Sequence, residues 1–390
     1  VNYIKRHFSQ ILAAFTVAVL IHFDVMPAES ALALVALATV DYWSSADLKA
    51  LTAGGLINED VMQKIWDISR IPLPFMDEVG VGEGATNSYT EWTIDQLAAV
   101  DLTNAVVDGA DAAGNQAAGG SRVGNQCQQS DKVVMVTYRA NASDVIGRSN
   151  ELAYQLMMRQ QELMQDLEAI ALFPQASVVD NGDATAGKVG TFPSWVITND
   201  DMGAGGSATG FNTGTKVVAA PVPSTARRAL SVATLKTMTE NAYLQNGNVS
   251  VIMSRPELTR RLCNYIITNP TTFAIAQPTA NIAGDGGKVA QIMQGFVMAI
   301  VTEFGDVVRI VPNRLQQTHV DGSAAACVDV FGIDTAMVEY TYLIAPRADE
   351  LARLGSAERK QLLVDWSLRV MNEKAHWVIR DINHTTAVVA

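Results

Sequence analysis

The order of apolar and polar positions divides the chain into elements. In residues 86–94 (TNSYTEWTI), Ser88, Thr90, Trp92 and Ile94 alternate with Asn87, Tyr89, Glu91 and Thr93. A period of two with aromatic and β-branched residues predicts a strand. Residues 132–139 (KVVMVTYR) predict a returning strand. Between them, residues 109–121 (GADAAGNQAAGGS) are small, polar and glycine-rich, so they can bury almost nothing within their own chain. The region therefore reads as a two-stranded excursion with a flexible tip, and a lone hairpin of this kind is marginal in water.

The strongest helix falls at residues 149–173, where Leu152, Leu156, Leu163, Leu167 and Ile170 recur at helical steps. Pro174 ends it, and a segment rich in Gly, Asp and Thr reads as a loop or insertion to about residue 222. A second helix is expected at 225–245, then a buried-type strand at 249–253 and a third helix opened by Pro256 and running to 267. Residues 296–311 predict a hairpin turning at Gly305 and Asp306, with further strands at 328–333, 337–343, 361–370 and 375–382. Upstream, residues 45–69 read as short helices broken at Gly54 and Gly55, and Pro72 and Pro74 force an extended connection. Strands and helices interleave without the regular alternation of a parallel sheet, so the fold class is α+β.

Composition sharpens this picture. With 390 residues, 48% hydrophobic and 17% charged, the chain can form a substantial core. Its 28 basic and 40 acidic residues give a net charge of -12, which argues against affinity built on neutralising nucleic-acid phosphates. Cys127, Cys263 and Cys327 are odd in number and widely spaced, with no CxxC and no histidine at metal-ligand spacing, so neither disulfides nor structural zinc is expected.

The N-terminus carries Lys5, Arg6 and His7 before the apolar residues 11–23, followed by Pro27 and the small residues 30–33. That pattern resembles a secretory leader, while the apolar run falls short of the ~20 residues that span a bilayer. Three readings stand: an arm packed on a neighbouring subunit, a cleaved leader, or an upstream mis-started reading frame.

Candidate chemistry is sparse. Gly182 to Lys188 (GDATAGK) formally matches part of a phosphate-binding loop, but Val189 stands where Ser or Thr must reach Mg²⁺, and Gly190 and Pro193 deny the following helix. The other glycine clusters lack a dinucleotide context, and no GxSxG elbow occurs. His376 and His384 would share a strand face with Asp381 between them, but His7, His22 and His319 supply no supporting cluster. Asp166 and Glu168 are two apart on the long helix, so they read as solvated surface rather than a catalytic pair. The pairs Arg227–Arg228 and Arg260–Arg261 read as helix-surface charge. No catalytic residue, cofactor or metal ligand is assigned.

Four segments carry a resemblance. Residues 71–112 (IPLPFMDEVGVGEGATNSYTEWTIDQLAAVDLTNAVVDGADA) and 122–140 (RVGNQCQQSDKVVMVTYRA) resemble the N-arm and the E-loop of major capsid proteins of tailed double-stranded DNA bacteriophages, the HK97-like fold family. Residues 147–177 resemble that family's spine helix, and residues 364–382 (VDWSLRVMNEKAHWVIRDI) its C-terminal strands. The resemblance implies an N-terminal extension of uncertain role at 1–43, an N-arm at 44–85 and an E-loop with flanking strands at 86–140. A P-domain then spans 141–224, an A-domain 225–343, and C-terminal strands at 344–390 return to the P-domain. It also implies self-assembly as hexamers and pentamers into an icosahedral head in the virion. The head would enclose double-stranded DNA without sequence-specific binding, with portal and scaffolding or decoration proteins as partners and no membrane.

An acidic lumen is expected to keep packaged DNA from adhering, and a basic inner face lined by Arg227, Arg228, Arg260 and Arg261 would overturn that. No lysine lies between Lys64 and Lys132, so an E-loop lysine for isopeptide crosslinks is absent and non-covalent contacts are expected. Candidate intersubunit contacts are Phe75 on the arm, Trp92 and Leu97 on the outgoing strand, and Asp101 and Arg122 flanking the tip; Trp92 has a plain core reading and Arg122 a plain surface reading. An encapsulin-like compartment shell is the structural alternative, and a secreted binding protein or enzyme the alternative if residues 1–33 are a leader.

Overall fold

The computed structural model describes residues 72–98, 100–111, 119–143, 150–268, 274–275, 299–353 and 355–390. The expected N-terminal extension, the helices at 45–69 and part of the glycine-rich tip lie outside the described residues. Helix α1 (Pro74–Val79) leads to strands β1 (Tyr89–Ile94), β2 (Ser121–Gln126) and β3 (Gln128–Thr137). The short α2 (Tyr138–Ala142) precedes the long α3 (Glu151–Ala171), whose first turn is capped by the Asn150 carboxamide oxygen accepting from Ala153 N. Then come α4 (Phe192–Trp195), β4 (Asp200–Asp201), β5 (Gly210–Asn212), β6 (Val217–Ala219), α5 (Val232–Leu244) and β7 (Val251–Ser254). The chain continues through α6 (Pro256–Thr268), β8 (Ala274–Ile275), β9 (Ala299–Val301), β10 (Val307–Pro312) and β11 (His319–Val320). It ends with β12 (Ala326–Ile333), β13 (Val338–Glu350), β14 (Ala357–Val370) and β15 (Trp377–Ile382).

The α+β reading agrees with these elements, and the long helix lies within two residues of its expected ends. Several expectations need correction. Pro74 opens helix α1 and does not continue an extended connection. The partner of β1 is β2, while the segment expected to return to it, Lys132 to Thr137, forms part of β3 and pairs with β14 instead. Tyr138 and Arg139 are helical. The helix expected from residue 225 begins at Val232, because residues 224–231 bond instead to the chain terminus: Arg228 N donates to the Asp381 carbonyl and Val389 N to the Leu230 carbonyl.

A mixed sheet in the order β4-β15-β12-β7-β10-β9-β8 forms the centre. Its period of two separates two apolar clusters. Val251, Met253, Phe331, Ile333 and Val378 face one that includes Leu163 and Leu167 of α3. Ile252, Val330, Trp377 and Ile379 face the other, with Leu235 of α5 and Leu258 and Leu262 of α6. A second sheet, β13-β14-β3, is long and antiparallel, and buried Val134 and Val136 of β3 pack on Leu152 of α3.

Buried histidine sits at the junction. His376 Nδ1 accepts from Asp334 N at 3.1 Å and Nε2 donates to the Met337 carbonyl at 3.3 Å, with the ring edge-on to Phe192. These partners require the neutral imidazole, and full burial depresses its pKa to about 4. The unfolded chain, with an ordinary histidine pKa of about 6.5, binds this proton first, so stability is lost as pH falls from about 6.5 toward 4. The expected loss is about 3 kcal/mol, read as a shift in urea midpoint across a pH series. His376→Gln should flatten that dependence.

The GDATAGK segment is a tight loop, not a phosphate cradle. Val178 and Lys188 bridge across it, and the Asn181 side-chain oxygen accepts from Asp183 N and Thr185 N. His376 precedes β15 and His384 follows it, so they flank the strand and do not share its face.

Candidate assembly interface

Strands β1 and β2 form a separate two-stranded ribbon, with Tyr89 opposite Gln126 and Ile94 opposite Ser121. Its root is held by β2. The Asn125 side chain donates to the carbonyls of Gly190 and Leu368, each at 2.8 Å, and accepts from Gly190 N at 2.8 Å. Every polar atom of that buried amide is therefore engaged. The adjacent Gly124 leaves room for the Thr90 carbonyl and the Tyr89 ring, which an added Cβ would meet at 2.6 Å.

Trp92 is half-buried at the base, opposite Val123, with its ring 5.2 Å from that of Trp195, which in turn stacks on Phe211. It anchors the ribbon to its own body while keeping part of its surface outward. Arg122 is exposed and lies 3.6 Å from Glu91, which also meets Lys216 at 3.4 Å. Exposed pairs of this kind contribute little.

Beyond the ribbon the chain runs out with scant internal support. Leu97, Val100, Leu102, Val106 and Val107 are all 80–94% exposed. The sequence singles out only Leu97; the signal for the other four is that, with it, five Leu and Val side chains fall within eleven positions without a sustained helical or strand spacing. Asp101 is fully exposed, and its carboxylate accepts from Thr103 Oγ1 at 2.6 Å and Thr103 N at 2.8 Å, which holds its pKa below the usual carboxylate range. That turn fixes Asp101 locally and leaves Leu102 projecting.

Phe75 is elsewhere. It is fully buried between Phe192 and Tyr340, with ring centroids 5.8 Å away on both sides, so its side chain presents no surface to a neighbour. Its position follows from Glu168, which the sequence suggested was solvated. This correction has a clear cause: the Glu168 carboxylate accepts from Phe75 N at 2.7 Å, Met76 N at 2.9 Å and Asn313 Nδ2 at 2.6 Å. Pro74 opens α1, so the next two amides have no intrahelical acceptor and the carboxylate takes both. Burial pushes the Glu168 carboxyl above its usual range, against these hydrogen bonds. From α1 the arm continues beside β13, with Gly82 N donating to the Tyr340 carbonyl and Ala85 N to that of Tyr342. The segment after α1 and the ribbon are thus both anchored on the β13–β14 pair.

Such an arrangement holds donors, acceptors and apolar surface, and its outer part offers only surface. Residues 44–383 match the family described as SU10 major capsid protein. The chain belongs to that family. A major capsid protein of Escherichia phage Phieco32 is 27% identical over 323 residues, covering 78% of this chain and 89% of that one. Among solved structures, the capsid of cyanophage P-SCSP1u has a TM-score of 0.48 at 13% identity, covering 88% of this chain and 100% of that one. The SrpI encapsulin complex of Synechococcus elongatus PCC 7942 has a TM-score of 0.46 at 9% identity, covering 85% and 95% respectively. Family membership, not these distant likenesses, places the chain among capsid proteins rather than compartment shells. It is a structural subunit of the virion capsid.

Proposed function

We propose that this capsid subunit assembles as hexamers and pentamers of HK97-like architecture through its projecting segment, which orders against a neighbouring copy. The observation that carries the reading is the run of five nearly bare apolar residues from Leu97 to Val107 beyond a ribbon rooted by Asn125 and Trp92. Burying one Leu or Val side chain contributes about 1.5–3 kcal/mol. A soluble chain gains nothing by exposing five together unless a partner covers them. A symmetric shell repeats that contact in every subunit, so a modest gain at each suffices.

Leu97 supplies apolar contact in this proposal, Asp101 orients the adjoining turn, and Arg122 offers charge at the ribbon edge. Trp92 anchors the ribbon and offers its outward part to a neighbour. Phe75 acts through the base, not by touching a neighbour. With a net charge of -12, the shell encloses double-stranded DNA without sequence-specific grip. Portal, scaffolding or decoration proteins complete the head, and the subunit carries no catalysis.

The direct test is to express the full chain alone and follow it by sedimentation velocity and negative-stain microscopy as concentration rises. Closed particles or capsomer rings are expected. A species that stays monomeric at high concentration counts against the proposal.

A further inference from the structure

Three side chains that the sequence kept apart converge beneath the C-terminal strand. His319 and Cys327 are opposite one another in the β11–β12 pair, and Asp381 approaches from β15. Their donor atoms all lie within 4.8 Å of one another. His319 Nε2 is 3.0 Å from Asp381 Oδ1, and Cys327 Sγ is 3.5 Å from that same oxygen. Asp329 Oδ1, which accepts from Asp381 N at 3.1 Å, stands 3.5 Å from His319 Nε2. Sequence spacing offers no histidine beside a cysteine; strand register brings His319 and Cys327 together.

The backbone is shaped to make this happen. Between the Val328–Ile382 and Val330–Ile379 pairs, β12 advances two residues while β15 advances three. The extra residue is a bulge, and Asp381 takes φ 56°, in the left-handed region, inside a buried strand. Its Oδ2 is occupied by Ser224 N and Ser224 Oγ, which leaves Oδ1 to the cluster. A cavity of about 380 Å³, lined by His319, Asp329, Arg380 and Asp381, adjoins it.

We infer that His319, Cys327 and Asp381 form a structural site for a divalent transition-metal ion, zinc by preference, with Asp329 or a water in the fourth position. Imidazole, thiolate and carboxylate together suit zinc better than magnesium or calcium, which favour oxygen ligands. Bond lengths of about 2.0–2.3 Å in a tetrahedron place ligand atoms roughly 3.3–3.8 Å apart, and Asp381 Oδ1 lies 3.0 Å from His319 Nε2 and 3.5 Å from Cys327 Sγ. A thiol–imidazole–carboxylate relay for nucleophilic catalysis is a poorer fit. There the imidazole would use different nitrogens toward the thiol and the carboxylate, whereas here His319 Nε2, the nitrogen that meets Asp381, lies with the Cys327 sulfur and the carboxylate oxygen in one cluster of ligand atoms. The thiol is also fully buried. Ser224 plays the outer role of orienting a ligand carboxylate. Bound metal would tie β11, β12 and the chain's last strand together.

The test uses the full chain stripped with a chelator and titrated with Co²⁺. One equivalent should bind, with a thiolate-to-cobalt charge-transfer band in the near ultraviolet that Zn²⁺ abolishes. Cys327→Ser should lose the band, while Cys127→Ser and Cys263→Ser keep it. Zinc should raise the thermal midpoint of the parent and leave that of Cys327→Ser unchanged. Absence of the band in the parent at excess Co²⁺, or its persistence in Cys327→Ser, overturns the assignment. If Cys327→Ser does not fold, His319→Gln takes its place, with loss of tight one-to-one binding as the expected result and retention as the contrary one.

Discussion

A subunit carrying Leu97→Asp and Leu102→Asp is expected to fold as the parent does and to fail to close into particles. Both side chains are more than 90% exposed, so the substitutions remove no contact within the chain and its thermal midpoint should stay within error. Buried against a neighbour, the two leucines would contribute roughly 3–6 kcal/mol per contact. Replacing them with charges adds a desolvation penalty on top. Since about 1.4 kcal/mol is a factor of ten in affinity, each contact should weaken by at least a hundredfold. Particle yield by sedimentation should fall to background at concentrations where the parent assembles. Leu97→Met, which keeps apolar area, should assemble. Normal particles from the double aspartate variant would show that these residues face solvent in the shell.

The largest effect on the isolated subunit is expected at Glu168. Glu168→Ala strands two backbone amides of the arm and the Asn313 side chain without their common acceptor, all in a buried setting. Each unsatisfied buried donor costs about 1–3 kcal/mol, so a loss of about 3–5 kcal/mol is expected in urea unfolding. Glu168→Gln keeps the shape and one acceptor oxygen and should fall between. A loss below about 1 kcal/mol for the alanine variant would mean that the arm is held by Phe75 packing and its backbone bonds to β13, without need of the carboxylate.

Much of the architecture was legible because it rests on local pattern. The leucines of the long helix repeat on one stripe, and β14 and β15 carry short apolar runs, Leu362–Val364 and Trp377–Ile379, among β-branched and aromatic residues. What escaped was decided by tertiary partners. Strand β2 (SRVGNQ) has no apolar alternation, and its burial depends on the Asn125 amide finding Gly190 and Leu368 far away in sequence. Without that strand, the next apolar run reads as the return of the ribbon. Glu168 reads as surface because it is charged, yet it sits three residues before buried Ala171 and next to buried Leu167, on the stripe that faces the core. The His319–Cys327 pairing becomes visible only when the short hairpin's register is known.

The exposed segment shows the same division. Its apolar content was in view, but the sequence could not say whether the chain folded back over those residues. The structure leaves them bare, with the Thr103–Asp101 turn and the Ala110–Val107 bond among its few internal hydrogen bonds.

Hydrogen exchange of residues 95–111, compared between free subunits and assembled particles of the same preparation, tests whether a neighbouring copy orders this segment. The amides should exchange near the unprotected rate in free subunits and become protected in particles, while β14 and β15 remain protected in both. Protection already complete in the free subunit, or none gained in the particle, would contradict the account.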